Sequence, residues 1–437
     1  MTARGLIVGA PTTGSGKTTV TLGLIRALSR TGASVAPAKI GPDYIDPQFH
    51  HAAAGRPSVN LDAWAMRPAY LYQLISALSH TGDIAIVEGV MGLFDGGQHP
   101  GRTGIGSTAD IARETGWPVL LVINCAGLAQ SVAPLAKGFQ SHAHDVQMAG
   151  VILNNVSSER HRDMLESALK AADIPVLGAI PREETIQLPS RHLGLKQAEE
   201  HGDLDHRLDQ MADLIEQNCD LEQITAAASP LATRPRTMEW APPIKPFGQR
   251  IAVAQDMAFR FAYPHLLQGW CDQGAELSFF SPLADETAQS DADAIYLPGG
   301  YPELHGATLA DAARFRTSIR DAADNGKIIY GECGGYMVLG NALTDADGTA
   351  HEMLGLLNVK TSFATPKLHL GYRHVRASNA FAAGEQNSTF YAHEFHYAAT
   401  SHEDGDPLFT NLDTGEPCGL RNRNVAGSFI HLIDAGD

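Results

Sequence analysis

No run of about 18 apolar residues occurs in this chain of 437, so a membrane-spanning helix is not expected. Positive charge is short: 32 Lys and Arg against 49 Asp and Glu give a formal net charge of −17. Proteins that bind nucleic acid or an anionic membrane need a basic surface, so both classes are disfavoured. Cysteine is scarce and scattered. Cys125, Cys219, Cys271, Cys333 and Cys418 form no C-x-x-C pair, which argues against a zinc site and a disulfide framework and fits a reducing compartment. Met1–Ala10 carries no charged-then-apolar leader pattern, and a cytoplasmic location is expected. Internal repeats and low-complexity tracts are also lacking.

What is present points to an α/β protein. The length suggests two or three domains of roughly 150–200 residues. Short apolar runs at Gly5–Val8, Ile84–Val87, Val119–Ile123, Ala149–Leu153 and Val176–Ala179 alternate with amphipathic stretches such as Val20–Ser29, Leu128–Phe139 and Arg162–Ala171. Buried strands alternating with helices predict a doubly wound parallel sheet. Prolines crowd the span Ile224–Gly248, which has no usable periodicity and reads as a linker over 223–248. The pattern then restarts with strands at Ile251–Ala254, Leu277–Phe280, Ile295–Leu297 and Ile328–Tyr330, and a helix over Thr308–Ala323. Two domains are therefore expected, 1–222 and 249–437.

The first candidate site follows the first strand. Ala10-Pro-Thr-Thr-Gly-Ser-Gly-Lys-Thr-Thr19 is a glycine-rich turn opening a helix, the geometry that turns backbone N–H groups toward phosphate. Thr13, Gly14, Ser15, Gly16, Lys17, Thr18 and Thr19 are candidate ATP-binding residues, with Lys17 on the β/γ-phosphates and the Thr18 hydroxyl on Mg²⁺. The strict P-loop pattern requires glycine at position 11, and here it is Pro11. Carboxylates that follow strands complete the picture: Asp43 and Asp46 after Lys39, and Glu88 and Asp95 around the second apolar run. A lone Asp there is otherwise a turn or cap residue, whereas Glu88 is a poor turn former.

The second candidate site is Ile328-Ile-Tyr-Gly-Glu-Cys333-Gly-Gly-Tyr-Met337. G-x-C-x-G between a buried strand and a helix is a nucleophile elbow. The helix N-terminus is expected to lower the thiol pKa. The base of such a cysteine is distant in sequence, and His431 in Val425-Ala-Gly-Ser-Phe-Ile-His431 is the candidate. Pro298-Gly299-Gly300 ends another strand and would present oxyanion N–H groups.

These strings together resemble a known family. The first half is similar to the P-loop ligase domain related to dethiobiotin synthetase, and the second to class I (triad-type) glutamine amidotransferases. Gly41–Pro47, Val87–Gly96, Pro298–Glu303, Leu370–Arg373 and His393–Tyr397, in that order, resemble the cobyrinic/hydrogenobyrinic acid a,c-diamide synthases of cobalamin biosynthesis. The resemblance implies amidation of the a and c acetate groups of a corrin, with two ATP and two glutamine. It implies Cys333 as nucleophile with His431 as its activator, Thr18, Asp46 and Glu88 on the metal, and Asp43, Asp95 and Lys39 near the reacting carboxylate. Many triad amidotransferases carry Glu two residues after the histidine, but here the position is Ile433, so another acid must orient His431 if one does.

The substrate would be a polyanion, so a basic pocket near the nucleotide is expected, drawn from Lys39, Arg56, Arg182, Arg191 and Arg373. Length and texture lean toward the cobalt-free acid over the cobalt-containing one. A homodimer is left open. Direct delivery of ammonia is expected because both sites share one chain. A P-loop switch ATPase would explain Gly14–Thr19 but offers no role for the Cys333 elbow.

Overall fold

A computed structural model describes residues 3–183, 190–191, 194–195, 197–200, 202–232 and 241–436. The chain divides into two compact units, Met1–Trp240 and Ala241–Asp437.

In the first unit the strands are β1 (Arg4–Gly9), β2 (Val35–Ile40), β3 (Val59–Leu61), β4 (Ile84–Glu88), β5 (Val119–Asn124), β6 (Met148–Val156) and β7 (Val176–Pro181), and their order is β3-β2-β4-β1-β5-β6-β7. All of these neighbours run parallel. Leu6, Ile7 and Val8 are fully buried, as a strand covered on both faces requires. The register sets Val8 of β1 beside Glu88 of β4, and Glu88 beside Lys39 of β2, so three strands end in one row. Ligands of open α/β sheets bind outside such carboxyl ends.

Helix α1 (Lys17–Arg30) buries Val20, Leu22, Leu24, Ile25 and Leu28. Its Gly23 lets the helix Leu204–Asn218 come close: a methyl group there would lie 2.7 Å from the Met211 carbonyl oxygen. Arg26 and Arg30 pair with Asp209 and Asp213 at 2.8 and 2.6 Å along the flank of this contact. Helix α2 (Asp46–Ala54) begins one residue after Ile45, with Pro47 in its first turn, where the missing N–H costs nothing. The helix Leu221–Ala227 runs into the span read as a linker, and within that span Ser229–Pro230 pairs antiparallel with Arg4 and Gly5 of β1. Residues 233–240 of that span lie outside the described residues.

The second unit carries a ten-stranded mixed sheet in the order 276–280, 250–254, 294–297, 328–332, 425–428, 417–422, 406–411, 369–377, 389–396, 430–435. Its first five strands are parallel to their neighbours and the rest pair antiparallel. The helix expected over Thr308–Ala323 is broken into Gly306–Asp311 and Ala313–Asp324. Asp285 Oδ1 accepts the Phe315 N–H at 2.9 Å, capping a second helix start where the periodicity alone reads as continuous.

Candidate functional site

Each unit holds one of the two expected clusters. In the first, β1 runs into a loop whose Gly14 and Gly16 have φ of 78° and 90°, a region that L side chains avoid. Gly16 is further constrained, since a Cβ would lie 2.1 Å from Asn154 Nδ2, which donates to the Ser15 carbonyl at 3.0 Å. Lys17 Nζ donates to the Met91 carbonyl at 2.7 Å, and burial together with Lys39 lowers its pKa. The loop borders a cavity of about 470 Å³ whose lining includes Thr13, Gly14, Gly16, Lys17, Thr18 and Thr19. Ser15 is buried and folds back, its hydroxyl donating to the Thr12 carbonyl at 2.8 Å.

Lys39, Asp43, Asp46 and Glu88 line the same cavity. The Thr18 hydroxyl donates to Glu88 Oε1 at 2.6 Å, and Lys39 Nζ lies 2.5 Å from Asp46 and 3.1 Å from Glu88. Burial alone would raise the Glu88 pKa, but Lys39, His50 and Thr18 overcome it and hold the carboxyl below its usual range. Burial and the neighbouring Asp43 push Asp46 well up, against the pull of Lys39. Burial disfavours the Lys39 ammonium, yet Asp46, Glu88 and Asp43 raise its pKa overall. Asp43 Oδ1 also accepts the N–H groups of Ile45 and Asp46 at 2.8 and 3.0 Å, shaping the turn into α2. Asp95 does not line the cavity. Its Oδ2 accepts the Gly92 N–H at 2.9 Å and so shapes the loop that carries Met91.

Three contributors carried no signal in the sequence. His50 is fully buried in α2, with Nε2 2.6 Å from Glu88 Oε2 and Nδ1 3.1 Å from Ser58 Oγ. Asn154 anchors the phosphate loop, and Asn155 lines the cavity at a φ of 59°. An asparagine pair inside a strand and a histidine one turn into a helix belong to no motif.

The expected basic pocket is only partly assembled. Lys39 belongs to the cavity, whereas Arg56 donates to Ser34 Oγ and the Thr81 carbonyl and does not line it. Arg182 is exposed and also absent from the lining. The Arg191 side chain lies outside the described residues. Arg373 belongs to the second unit, where it is 2.7 Å from Glu394.

In the second unit Cys333 sits at the end of the strand Ile328–Glu332 with φ 47° and ψ −104°, the strained corner of an elbow. Small residues are obligatory around it: a Cβ on Gly335 would lie 1.9 Å from the Leu297 carbonyl oxygen. Gly299 is flanked by both reacting candidates, for a Cβ there would lie 2.5 Å from His431 Cε1 and 3.1 Å from Cys333 Cβ. Gly300 brings its amide nitrogen beside the elbow, 3.0 Å from a Cβ built on Gly334. His431 is delivered by antiparallel register, opposite His393. Behind it, Glu332 Oε2 lies 3.6 Å from His431 Nδ1.

The expected lowering of the thiol pKa is not found. The helix after Cys333, Gly334–Leu339, is only six residues long, and burial with the nearby Glu303 pushes the thiol well up despite the Gly334 amide. Burial likewise lowers His431 to about 3 and raises Glu332 to about 8. The resting site is therefore held nearly neutral, and a charge-forming step must begin with proton transfer between its members. Nearby, His396 Nε2 lies 2.9 Å from Glu394 Oε1.

Residues 6–195 match the CobQ/CobB/MinD/ParA nucleotide binding domain, and residues 250–437 match the CobB/CobQ-like glutamine amidotransferase domain. The chain is 53% identical to the hydrogenobyrinate a,c-diamide synthase of Rhizobium meliloti (strain 1021), covering 98% of this chain and 99% of that one. It is 52% identical to the enzyme of that name from Brucella suis biovar 1 (strain 1330), over 99% and 98% of the two chains. The namesake from Mesorhizobium japonicum is 49% identical over 99% of both.

Proposed function

Because the chain belongs to the hydrogenobyrinate a,c-diamide synthase family, we propose that it amidates the a and c acetate carboxylates of hydrogenobyrinic acid with ATP and glutamine. The observation that carries this reading is Gly299 flanked at once by His431 and Cys333, a glutaminase constellation on the same chain as a phosphate loop.

A carboxylate is a poor acyl donor because oxide leaves badly. Its oxygen attacks the γ-phosphorus of ATP, ADP departs, and an acyl phosphate results. Ammonia then attacks the acyl carbon, phosphate leaves, and a proton is lost from nitrogen. Lys17 and the amides of Gly14–Thr19 hold the phosphates and stabilise the charge that moves onto ADP. Thr18, Asp46 and Glu88 offer the all-oxygen donor set that suits Mg²⁺. Bound there, the ion would supply charge neutralisation on the phosphates. Lys39 keeps two buried carboxylates together until then, and Asp43 faces the same cavity.

The ammonia comes from glutamine. His431 takes the Cys333 proton, sulfur attacks the side-chain amide, and the oxyanion faces the Gly300 amide. His431 returns the proton to the leaving ammonia, and water then cleaves the thioester to glutamate. The cytoplasm suits a reduced Cys333, and a homodimer fits the reading without being required by it.

Replacing Cys333 by alanine tests this assignment. Glutamine-dependent diamide formation should vanish while ammonia-dependent formation persists. Persistence of both would remove the amidotransferase role.

A further inference from the structure

The position that carries glutamate in many triad amidotransferases, two residues after the histidine, is Ile433 here, and its side chain is buried and apolar. The Ile433 carbonyl is engaged by His265 Nε2 at 3.1 Å. Resting on the glutaminase reading above, we infer that Glu332, the residue immediately before the nucleophile, is the positioning carboxylate for His431.

Three observations carry the inference. Glu332 is almost fully buried at 1% exposure, yet it is aimed at the imidazole, with Oε2 3.6 Å from His431 Nδ1. Its carboxyl is fixed by donors from two other strands: Tyr296 Oη–H to Oε2 at 2.7 Å and the Leu432 N–H to Oε1 at 3.1 Å. The second donor is the backbone of the residue after His431, so carboxyl and imidazole are locked to each other through one peptide. Finally, the other acid that influences His431, Glu394, is already occupied by Arg373 at 2.7 Å and His396 at 2.9 Å.

The edges of the ring divide accordingly. The Cε1–Nε2 edge lies against Gly299 beside Cys333, and Nδ1 faces Glu332. Once ionised, Glu332 accepts from Nδ1–H and leaves Nε2 unprotonated, as the base for the thiol. When Nε2 takes the Cys333 proton, the imidazolium forms against Glu332, and the 3.6 Å contact closes to a charge-assisted hydrogen bond. One strand end thus supplies both the nucleophile and the group that orients its base. A search for the acid downstream of the histidine cannot find it.

The test uses the full-length enzyme with Glu332→Gln and Glu332→Asp, following glutamine-dependent turnover relative to ammonia-dependent turnover of the same preparation. A positioned base is worth about 10²–10⁴-fold in rate, and the carboxylate that holds its tautomer up to about 10⁴-fold in kcat. Glu332→Gln, nearly isosteric, should lose about that much kcat with little change in the KM for glutamine. Glu332→Asp should recover part of it. The groups that set the pH profile around this pair are Tyr296, Tyr330, Cys333 and, across the ring, His393, His396 and Glu394. Because burial raises Glu332 to about 8, glutamine-dependent kcat/KM should climb through that pH in the wild type as the carboxylate forms, and Glu332→Gln should lack this limb. A packing role would move neither the limb nor the ratio of Asp to Gln activity. Wild-type kcat and pH profile in Glu332→Gln, or equal losses in both variants with an unmoved limb, would overturn the inference. Glutamine-dependent turnover surviving in Cys333→Ala would instead strike the underlying reading.

Discussion

Lys39→Met is the substitution whose consequence follows most directly from the nucleotide-binding unit. Methionine keeps most of the buried stem and removes the ammonium that lies 2.5 Å from Asp46 and 3.1 Å from Glu88. Lys39 is 4% exposed, Asp46 8% and Glu88 0%, so the pair is largely buried. Removing one member of a buried pair costs about 3–5 kcal/mol. Glu88 loses the cation that does most to hold its pKa down but keeps its donors from Thr18 and His50. Asp46, already raised by burial and Asp43, loses its main stabilising partner and should hold its proton to still higher pH. A carboxyl whose folded pKa exceeds its unfolded value of about 4 means the folded state binds more protons. Stability is then fully present below pH 4 and is lost as pH rises, at about 1.4 kcal/mol per unit for one proton. The deficit of Lys39→Met against wild type should therefore grow as pH rises from 5 to 8. For a unit of this length it corresponds to roughly 6–20 °C in the melting midpoint. Scanning calorimetry reads it, and the relevant transition is the one that ATP raises in the wild type. No deficit, or a deficit equal at pH 5 and pH 8, would refute the claim that Lys39 compensates these carboxylates.

Other substitutions separate the two sites. His50→Ala strips Glu88 Oε2 of a donor at 2.6 Å, and losing such a supporting contact costs about 10–100-fold in metal affinity. The Mg²⁺ concentration needed for half-maximal ammonia-dependent turnover should rise by that factor, and an unchanged requirement would speak against the role. Gly299→Ala places a methyl 2.5 Å from His431 Cε1. It should lower glutamine-dependent kcat by at least about 10²-fold, as a displaced reacting group does, and steady-state assays should find ammonia-dependent turnover intact.

The sequence was most legible where backbone geometry demands a particular residue. Gly14, Gly16 and Gly335 are glycines because of positive φ or close approach, and such positions announce themselves as motifs. Strand β2 was harder to see because Pro37 sits within it. β3 pairs with β2 only from Ala38 to Ile40, so on that side Pro37 lies beyond the ladder, while on the other it stands opposite Ile86 of β4. The antiparallel strands from 369 onward show mixed burial and weak alternation, as in His369–Ala377, so periodicity had little to register. His50 and Glu332 were illegible for another reason. Each acts through a residue brought near by the fold, and Glu332 fills a position that the G-x-C-x-G string leaves open. Asp95 shows the converse: it stands in a signature string, yet its carboxylate is spent on the Gly92 amide.

The central claim is glutamine-dependent amidation of a corrin acid by one chain. Incubating the enzyme with hydrogenobyrinic acid, Mg²⁺-ATP and amide-¹⁵N glutamine, then analysing the product by mass spectrometry, tests it most directly. The account predicts two ¹⁵N atoms per corrin, on the a and c side chains, with one ADP formed for each amide. ATP hydrolysis with the acid left unmodified, or amides free of ¹⁵N, would contradict it.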